Sequence, residues 1–354
     1  MKIEDLINLE PYSKKKNENN YYFFNLVKKI SLLHFSKCKN YKKILNHLKF
    51  NITKIQELKN LPFIPASVFK DFDLKSISDK KIVKKLMSSG TSGKPSKIYL
   101  DRYNSINQIK VLKNLMQNIL GKNRLPMLII DQNPRMENRI SFNAKIAAIN
   151  GFSIFGRDHT YLLNKNNKID YKTLNNFLQK FSNKNFFIFG FTSLVYEHFI
   201  KTLNKKKINF NFKNGILLHG GGWKKLERLK LNGKEFNKKI DKKLKIKKIY
   251  NYYGLIEQTG SIFLECEYCG YFHTSIYSDI FIRGKNFEVL NKNKKGIVQL
   301  ISLLPTSYPG HNILTEDIGE IKGEDDCPSG KKGKYFKIYG RAKQAEIRGC
   351  SDTL

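Results

Sequence analysis

The sequence predicts an α/β fold: a mostly parallel sheet with flanking helices, joined to a β-rich subdomain. Two patterns carry that expectation. Short apolar runs at Leu125 to Asp131, Phe186 to Phe191, Ile216 to Leu218 and Ile246 to Tyr253 alternate with stretches of helical periodicity, such as Ile106, Ile109, Leu112, Leu115 and Ile119. Strands alternating with helices imply parallel pairing with helices on the faces. From Ser261 onward Gly, Pro and paired short strands dominate, as in Gly296 to Leu300 and Lys334 to Tyr339.

The elements follow in order. Residues 1–60 form an N-terminal helical segment. Within it, from about residue 20 to 60, Leu26, Ile30, Leu33 and Phe35 recur near helical spacing among lysines, and Asn51-Ile52 and the Leu61-Pro62-Phe63-Ile64-Pro65 run break the pattern. Each proline removes a donor and biases its predecessor toward extended geometry. Residues 61–260 read as the α/β core and 261–354 as the β-rich part. No internal repeat and no low-complexity tract stands out beyond the lysine bias.

Composition sets the class. The 354 residues are 40% hydrophobic and 12% aromatic, enough apolar surface to offset chain entropy, so the disordered class is excluded. The longest uncharged run, Ile297 to Thr315, contains Pro305, Pro309, Gly310, His311 and Asn312 and cannot serve as a membrane span. The N-terminus carries acids where a signal peptide would be apolar, so a cytoplasmic protein with reduced thiols is expected. A net charge of +35 invites a nucleic-acid reading, but 56 of the 65 basic residues are Lys, whereas phosphate and base recognition favours the planar fork of Arg. Lys runs such as Lys14 to Lys16, Lys205 to Lys207 and Lys238 to Lys248 read as solvated surface, and no nucleic-acid partner is expected.

Four segments carry chemistry. Ser88, Ser89, Gly90, Thr91, Ser92, Gly93 and Lys94 form a loop whose small residues let backbone N–H groups approach an anion, with Lys94 adding a point charge. It is not the P-loop of kinase-like NTPases, because Pro95 follows the Lys and the next residues read as a strand. A plain Ser/Gly hairpin turn is the alternative. His219-Gly220-Gly221-Gly222-Trp223 ends an apolar strand, where three glycines would let a planar ligand sit against bare backbone. Tyr252-Tyr253-Gly254-Leu255-Ile256-Glu257 places an aromatic, a glycine and a carboxylate beyond another strand; Glu257 suits Mg²⁺, or is a surface acid beside a turn. Asp317, in Leu314-Thr315-Glu316-Asp317-Ile318-Gly319, suits ribose hydroxyls or is an ordinary turn acid.

In this order and at these intervals the segments resemble adenylate-forming enzymes, and more sharply the acyl-protein synthetase family of fatty acid reductase systems, best known from bacterial bioluminescence. The resemblance runs from about Pro62 to the C-terminus. It rests on Ser88 to Lys94, His219 to Lys225, Tyr253-Gly254 with Glu257-Gln258, Ser307-Tyr308-Pro309-Gly310-His311, Leu314 to Gly319, and Gly340-Arg341 leading to Arg348-Gly349-Cys350-Ser351-Asp352-Thr353. It implies that the Ser/Thr/Gly loop holds ATP phosphates, that Gly220 to Gly222 and Tyr253 line the adenine, that Glu257 binds Mg²⁺, and that Asp317 and Arg341 contact ribose. Residues 61–260 would then be the nucleotide-binding core. Typical adenylate-forming enzymes continue past the Gly-Arg hinge into a small C-terminal domain, whereas this chain stops at Leu354, so the acyl acceptor is expected near the hinge. Cys350, near Arg341, Lys343 and Arg348, is the candidate thiol, its pKa lowered by those charges; a buried inert Cys is the alternative. The family likewise carries its acyl group on a cysteine near the C-terminus.

The expected reaction is ATP-dependent activation of a carboxylic acid, a fatty acid by resemblance, to an acyl-adenylate. Transfer to Cys350 and delivery to an acyl reductase partner would follow. Rival readings are a coenzyme A ligase resembling phenylacetate ligases and a non-catalytic nucleotide-binding subunit. Four further cysteines need an account. Cys266-x-x-Cys269 has zinc-knuckle spacing, with His273 close behind and Cys327 as a distant half-site. Ser329 stands where a Cys-Pro-Cys-Gly half-site would carry its second sulfur, which excludes a four-sulfur site; reduced, partly buried thiols are the alternative to structural zinc. Cys38 is assigned to packing.

Overall fold

The structure, a computed structural model, describes residues 3–88, 94–134, 141–203, 210–222 and 233–342. Among these, 3–115, 141–143 and 254–342 form one compact unit, and 116–134 with 144–253 form a second. The N-terminal helical residues and the β-rich residues thus fall in the same unit.

The second unit is built on five parallel strands. Their spatial order is Lys248–Tyr253, Gly215–Gly220, Phe186–Phe191, Leu125–Gln132 and Gly156–Leu163. The chain starts at Leu125–Gln132, steps outward to Gly156–Leu163, then returns to the other side for the remaining three. The strand order therefore reverses between Leu125–Gln132 and Phe186–Phe191, a topological switch point of the kind beside which doubly wound sheets bind ligands. All six residues of Phe186–Phe191 are buried, and each phenylalanine so covered contributes roughly 1.5–3 kcal/mol. One face is covered by helix Tyr171–Phe181, which buries Leu174, Phe177, Leu178 and Phe181 at helical spacing. The Asp170 carboxylate caps that helix, accepting from the N–H groups of Lys172 and Thr173. Helix Gly233–Leu244 adds Phe236, Ile240 and Leu244. The alternation of Phe187, Phe189 and Phe191 is core packing: Phe189 meets Phe152 at 4.8 Å and stacks near Tyr252 at 6.3 Å.

In the first unit the strands Ser278–Arg283, Gly296–Ser302, Asn312–Glu324 and Lys334–Arg341 form an antiparallel meander. It is extended by Phe272–His273 and Phe263–Glu265, with Ile64–Pro65 added in parallel on Asn312–Glu324. A separate three-stranded sheet pairs Lys84–Met87 with Lys97–Leu100 and with Ser141–Asn143.

Helical structure between residues 20 and 60 differs from the sequence expectation. Two helices, Lys16–Lys37 and Lys39–His47, meet at the buried Cys38, and Asn51 caps a short 3-10 turn, Ile52–Lys54. The buried stripe of the first helix is Phe23, Val27, Ser31, His34 and Cys38, while Leu33 is exposed. Two polar residues belong to this stripe because their partners are built in. His34 bonds through Nδ1 to Ser76 Oγ at 2.7 Å and through Nε2 to the Pro305 carbonyl at 3.0 Å; Ser31 donates to the Val27 carbonyl at 3.0 Å and meets His311 Nε2 at 2.8 Å. The two imidazoles lie 4.8 Å apart, centroid to centroid. Burial lowers the pKa of His34 to about 4 and that of His311 well below its ordinary value, with the two rings opposing each other's charge in His311. In helix Arg102–Leu120 the buried stripe is Val111, Leu112, Leu115 and Met116, leaving Ile106 and Ile109 exposed. An i, i+3 reading drifts around a helix of 3.6 residues per turn.

Candidate nucleotide and metal sites

The Ser/Gly loop is closed at its base by backbone pairing. Met87 faces Lys97 and Leu86 faces Ile98 across the hairpin, the Ser88 N–H donates to the Ser96 carbonyl at 3.1 Å, and the Ser88 hydroxyl accepts from the Ser96 N–H at 2.8 Å. Lys94 is exposed. Ser89, Gly90, Thr91, Ser92 and Gly93 lie outside the described residues.

Glu257 lies in the 3-10 turn Ile256–Gln258, which packs against strand Lys97–Leu100. Gln258, fully buried, fixes the turn by donating to the Gly310 carbonyl at 2.9 Å and the Leu300 carbonyl at 3.3 Å. Gly310 is required by proximity: a Cβ there would lie 2.3 Å from the Glu257 carbonyl oxygen and 2.3 Å from the Tyr308 ring. Burial pushes the Glu257 carboxyl above its usual range. The neighbouring Ser96 hydroxyl, out of good hydrogen-bond geometry, opposes that rise, as do the charges of Arg341 and Lys70. Glu257 is thus a buried carboxylate and not a surface acid beside a turn.

Asp317 and Arg341 are cross-strand partners in the ladder between Asn312–Glu324 and Lys334–Arg341. The Asp317 N–H donates to Thr315 Oγ1 at 3.0 Å, and Arg341 Nη1 lies 3.5 Å from Glu316 Oε2. A β-ladder therefore holds side by side the two residues expected to share a ribose. Gly340, with φ 121°, is a position for which glycine is suited.

In the second unit the three glycines differ in what stands beside them. A Cβ on Gly220 would lie 2.5 Å from the Tyr252 ring, and one on Gly221 2.8 Å from the Phe191 ring. Those two make room for aromatic packing. Among the described residues, Gly222 alone of the three has nothing within 4 Å of its Cβ position, and both Gly221 and Gly222 adopt left-handed backbone, φ 82° and 71°. His219 is a structural residue. Its Nδ1 donates to Thr192 Oγ1 at 2.9 Å, and that hydroxyl donates to the Gly220 carbonyl at 3.1 Å. The ring packs on Phe236, and burial lowers its pKa to about 3. Tyr253 ends its strand half-buried, and Gly254 follows in the first unit.

Sequence reading missed two residues. Ser96 pairs with Ser88 at the loop base and stands beside Glu257, and its only signal is position, one residue after Pro95. Asp131, nearly fully buried at the carboxyl end of Leu125–Gln132, pairs with Lys145 at 2.9 Å beside the switch point; an acid closing an apolar run was its signal.

Cys266, Cys269, His273 and Cys327 converge, with their four donor atoms all within 4.8 Å of one another. Burial opposes ionisation of Cys266, but hydrogen bonds from His273, Ser329 and the Cys269 and Tyr268 amides outweigh it and bring the thiol down to about 5. Burial, reinforced by the neighbouring sulfurs, pushes Cys269 up to about 12. Trp223, Lys343, Arg348 and Cys350 lie outside the described residues. Among the described residues no helix is long and apolar enough to cross a membrane.

Three comparisons bear on the identity. A family model described as "Acyl-protein synthetase, LuxE" matches residues 1–354. Two curated relatives are named long-chain-fatty-acid–luciferin-component ligase. The one from Aliivibrio fischeri is 26% identical over 93% of this chain and 86% of its own; the one from Vibrio harveyi is 23% identical over 99% and 92%. Among solved structures, an open conformation of 2-hydroxyisobutyryl-CoA ligase in complex with 2-HIB-AMP and CoA superposes with a TM-score of 0.73 at 12% identity, covering 95% of this chain and 78% of that one. That likeness shows that the chain shares the fold of this ligase.

Proposed function

Because the chain belongs to the acyl-protein synthetase family, we propose that it activates a long-chain fatty acid with MgATP and carries the acyl group on Cys350 for delivery to an acyl reductase. The observation that carries the reading within the structure is in the first unit. There the hairpin base at Ser88 and Ser96 meets buried Glu257, and Asp317 faces Arg341 across a ladder.

The chemistry divides into two displacements. A carboxylate oxygen of the acid attacks the α-phosphorus of ATP, the bond to the bridging oxygen breaks, and pyrophosphate leaves. The Cys350 thiolate then attacks the acyl carbonyl, AMP departs with the electron pair, and a thioester remains. Lys94 and the amides of residues 88–94 oppose charge growing on pyrophosphate, an electrostatic contribution that is greatest where water is excluded. Glu257 would hold Mg²⁺, which supplies charge neutralisation at the phosphates. Asp317 accepts from ribose hydroxyls and Arg341 fixes the same sugar. Gly222, whose Cβ position is open, and Tyr253 would face the adenine. The structural zinc expected at Cys266, Cys269, His273 and Cys327 takes no part in these steps.

The test is acid-dependent exchange of labelled pyrophosphate into ATP across a chain-length series, followed by mapping of a hydroxylamine-labile acyl adduct. Exchange with long-chain acids and an adduct on the Cys350 peptide is the expected result. Product appearing only as a coenzyme A thioester would replace this reading with that of a coenzyme A ligase.

A further inference from the structure

We infer that Cys266, Cys269, His273 and Cys327 bind one zinc ion, and that this centre secures the N-terminal residues 3–12 to the β-rich part of the first unit. Zinc with Zn–S of about 2.3 Å and Zn–N of about 2.0 Å in a tetrahedron requires S···S edges of about 3.8 Å and S···N edges of about 3.5 Å. Cys266 Sγ and Cys327 Sγ are 4.0 Å apart, and Cys269 Sγ and His273 Nε2 are 3.4 Å apart, each within a few tenths of an ångström of those edges. The longest separation, at most 4.8 Å, closes by side-chain rotation of about an ångström. The sulfurs are far beyond disulfide length, about 2.05 Å, and all are free.

The two loops that present the sulfurs are alike. In Cys266-Glu-Tyr-Cys269-Gly270 the Gly270 N–H donates to the Cys266 carbonyl at 2.8 Å, and in Cys327-Pro-Ser329-Gly330 the Gly330 N–H donates to the Cys327 carbonyl at 2.9 Å. Both glycines are left-handed, φ 71° and 80°. Each is a tight knuckle with its thiols turned inward. Ser329 is not a ligand: its hydroxyl lies 3.1 Å from Cys327 Sγ, within hydrogen-bond reach of that sulfur, and His273 supplies the fourth donor from strand Phe272–His273. His273 is almost completely buried and its Nδ1 has no hydrogen-bond partner among the described residues. Three sulfurs and one imidazole around a single point select zinc over harder cations, and four protein donors leave no open position for substrate.

The N-terminal segment is attached to these same loops. The Ile276 N–H donates to the Pro11 carbonyl at 2.9 Å and the Lys332 N–H to the Tyr12 carbonyl at 3.0 Å. The Tyr12 ring stands edge-on to His273, and the Lys331 ammonium lies over it at 5.1 Å. Tyr277 donates to the Leu6 and Leu9 carbonyls. Every one of these partners is within a few residues of a sulfur or of His273, so the loops must be fixed for the segment to dock.

The test uses the full chain purified without chelator. Metal analysis should give one zinc per chain, retained in Ser329→Ala and lost in His273→Ala and Cys327→Ala. Cobalt added to the metal-free wild type should give thiolate-to-metal charge-transfer bands and the intense visible bands of a tetrahedral ion, a readout that does not depend on the variants folding. Amide exchange at residues 3–12 should rise at least tenfold when zinc is removed, with residues 186–191 and 215–220 unchanged. Wild type with less than a tenth of a zinc per chain and no tetrahedral cobalt spectrum overturns the site. Loss of metal in Ser329→Ala overturns the ligand set. Unchanged exchange at residues 3–12 overturns the anchoring role.

Discussion

Replacing Gly310 with alanine tests how strictly Glu257 must be placed. The new Cβ would sit 2.3 Å from the Glu257 carbonyl oxygen and 2.3 Å from the Tyr308 ring, which is fully buried. An ordinary contact needs about 3.4 Å, so one side must retreat by about an ångström. Tyr308 is wedged in the core, edge-on to Phe69, and the turn carrying Glu257 is the part free to yield. Overpacking of this kind costs about 1–3 kcal/mol, and straining the 2.9 Å bond from Gln258 to the Gly310 carbonyl adds about 1 kcal/mol. A catalytic group displaced by about 1 Å loses roughly 10²-fold in rate. Pyrophosphate exchange should therefore fall about a hundredfold in kcat/KM, with the Mg²⁺ requirement shifted upward and the melting temperature lowered by several degrees. Gly330→Ala, whose Cβ meets nothing within 4 Å but whose φ of 80° strains the backbone, controls for stability loss alone. Exchange within threefold of wild type in a folded Gly310→Ala protein would refute the claim that this turn positions the metal-binding carboxylate.

Glu257→Gln removes exchange activity yet raises the melting temperature of the nucleotide-free protein at pH 7. Its carboxyl pKa is raised on folding, so the stability it contributes is present at low pH and lost as pH rises through the folded pKa; calorimetry should show the two proteins converging toward acid. Asp317→Ala and Arg341→Ala each remove a charge-assisted contact of about 1.5–3 kcal/mol, so KM for ATP in exchange assays should rise roughly 10- to 100-fold. Cys350→Ser should retain pyrophosphate exchange and lose the hydroxylamine-labile adduct, read by peptide mass. Thr192→Val leaves the buried His219 Nδ1 without its partner and should cost about 1–3 kcal/mol in chemical denaturation.

What the sequence made legible was local. The parallel strands at Phe186–Phe191 and Gly215–Gly220 announced themselves as apolar runs, because that signal lies within a few consecutive residues. Cys266, Cys269, His273 and Cys327 were grouped by spacing alone, and their donor atoms do converge. Illegible were features set by distant partners. His34 and Ser31 belong to a buried stripe only because Ser76, Pro305 and His311 wait for them, so a hydrophobicity count placed the stripe on Leu33 instead. The close approach of Tyr252 to Gly220 and of Phe191 to Gly221 is equally hidden, since Tyr252 lies 32 residues further along the chain than Gly220. Ser96 gave no composition signal at all, and its place beside Glu257 is a product of packing between a hairpin and a turn.

The paired imidazoles of His34 and His311 carry a practical consequence. Rings whose folded pKa lies below 6.5 take up their proton only on unfolding, so the stability they lend is complete in neutral solution and is spent as the medium is acidified from 6.5 toward about 4. Acidification is also the customary route for stripping a metal from thiolates. In this protein such a treatment would melt the helix Lys16–Lys37 and its surroundings together with the cysteine centre, and a collapse seen that way would be blamed on the wrong ion. Chelation at neutral pH separates the two, leaving the histidines uncharged while the sulfurs are emptied.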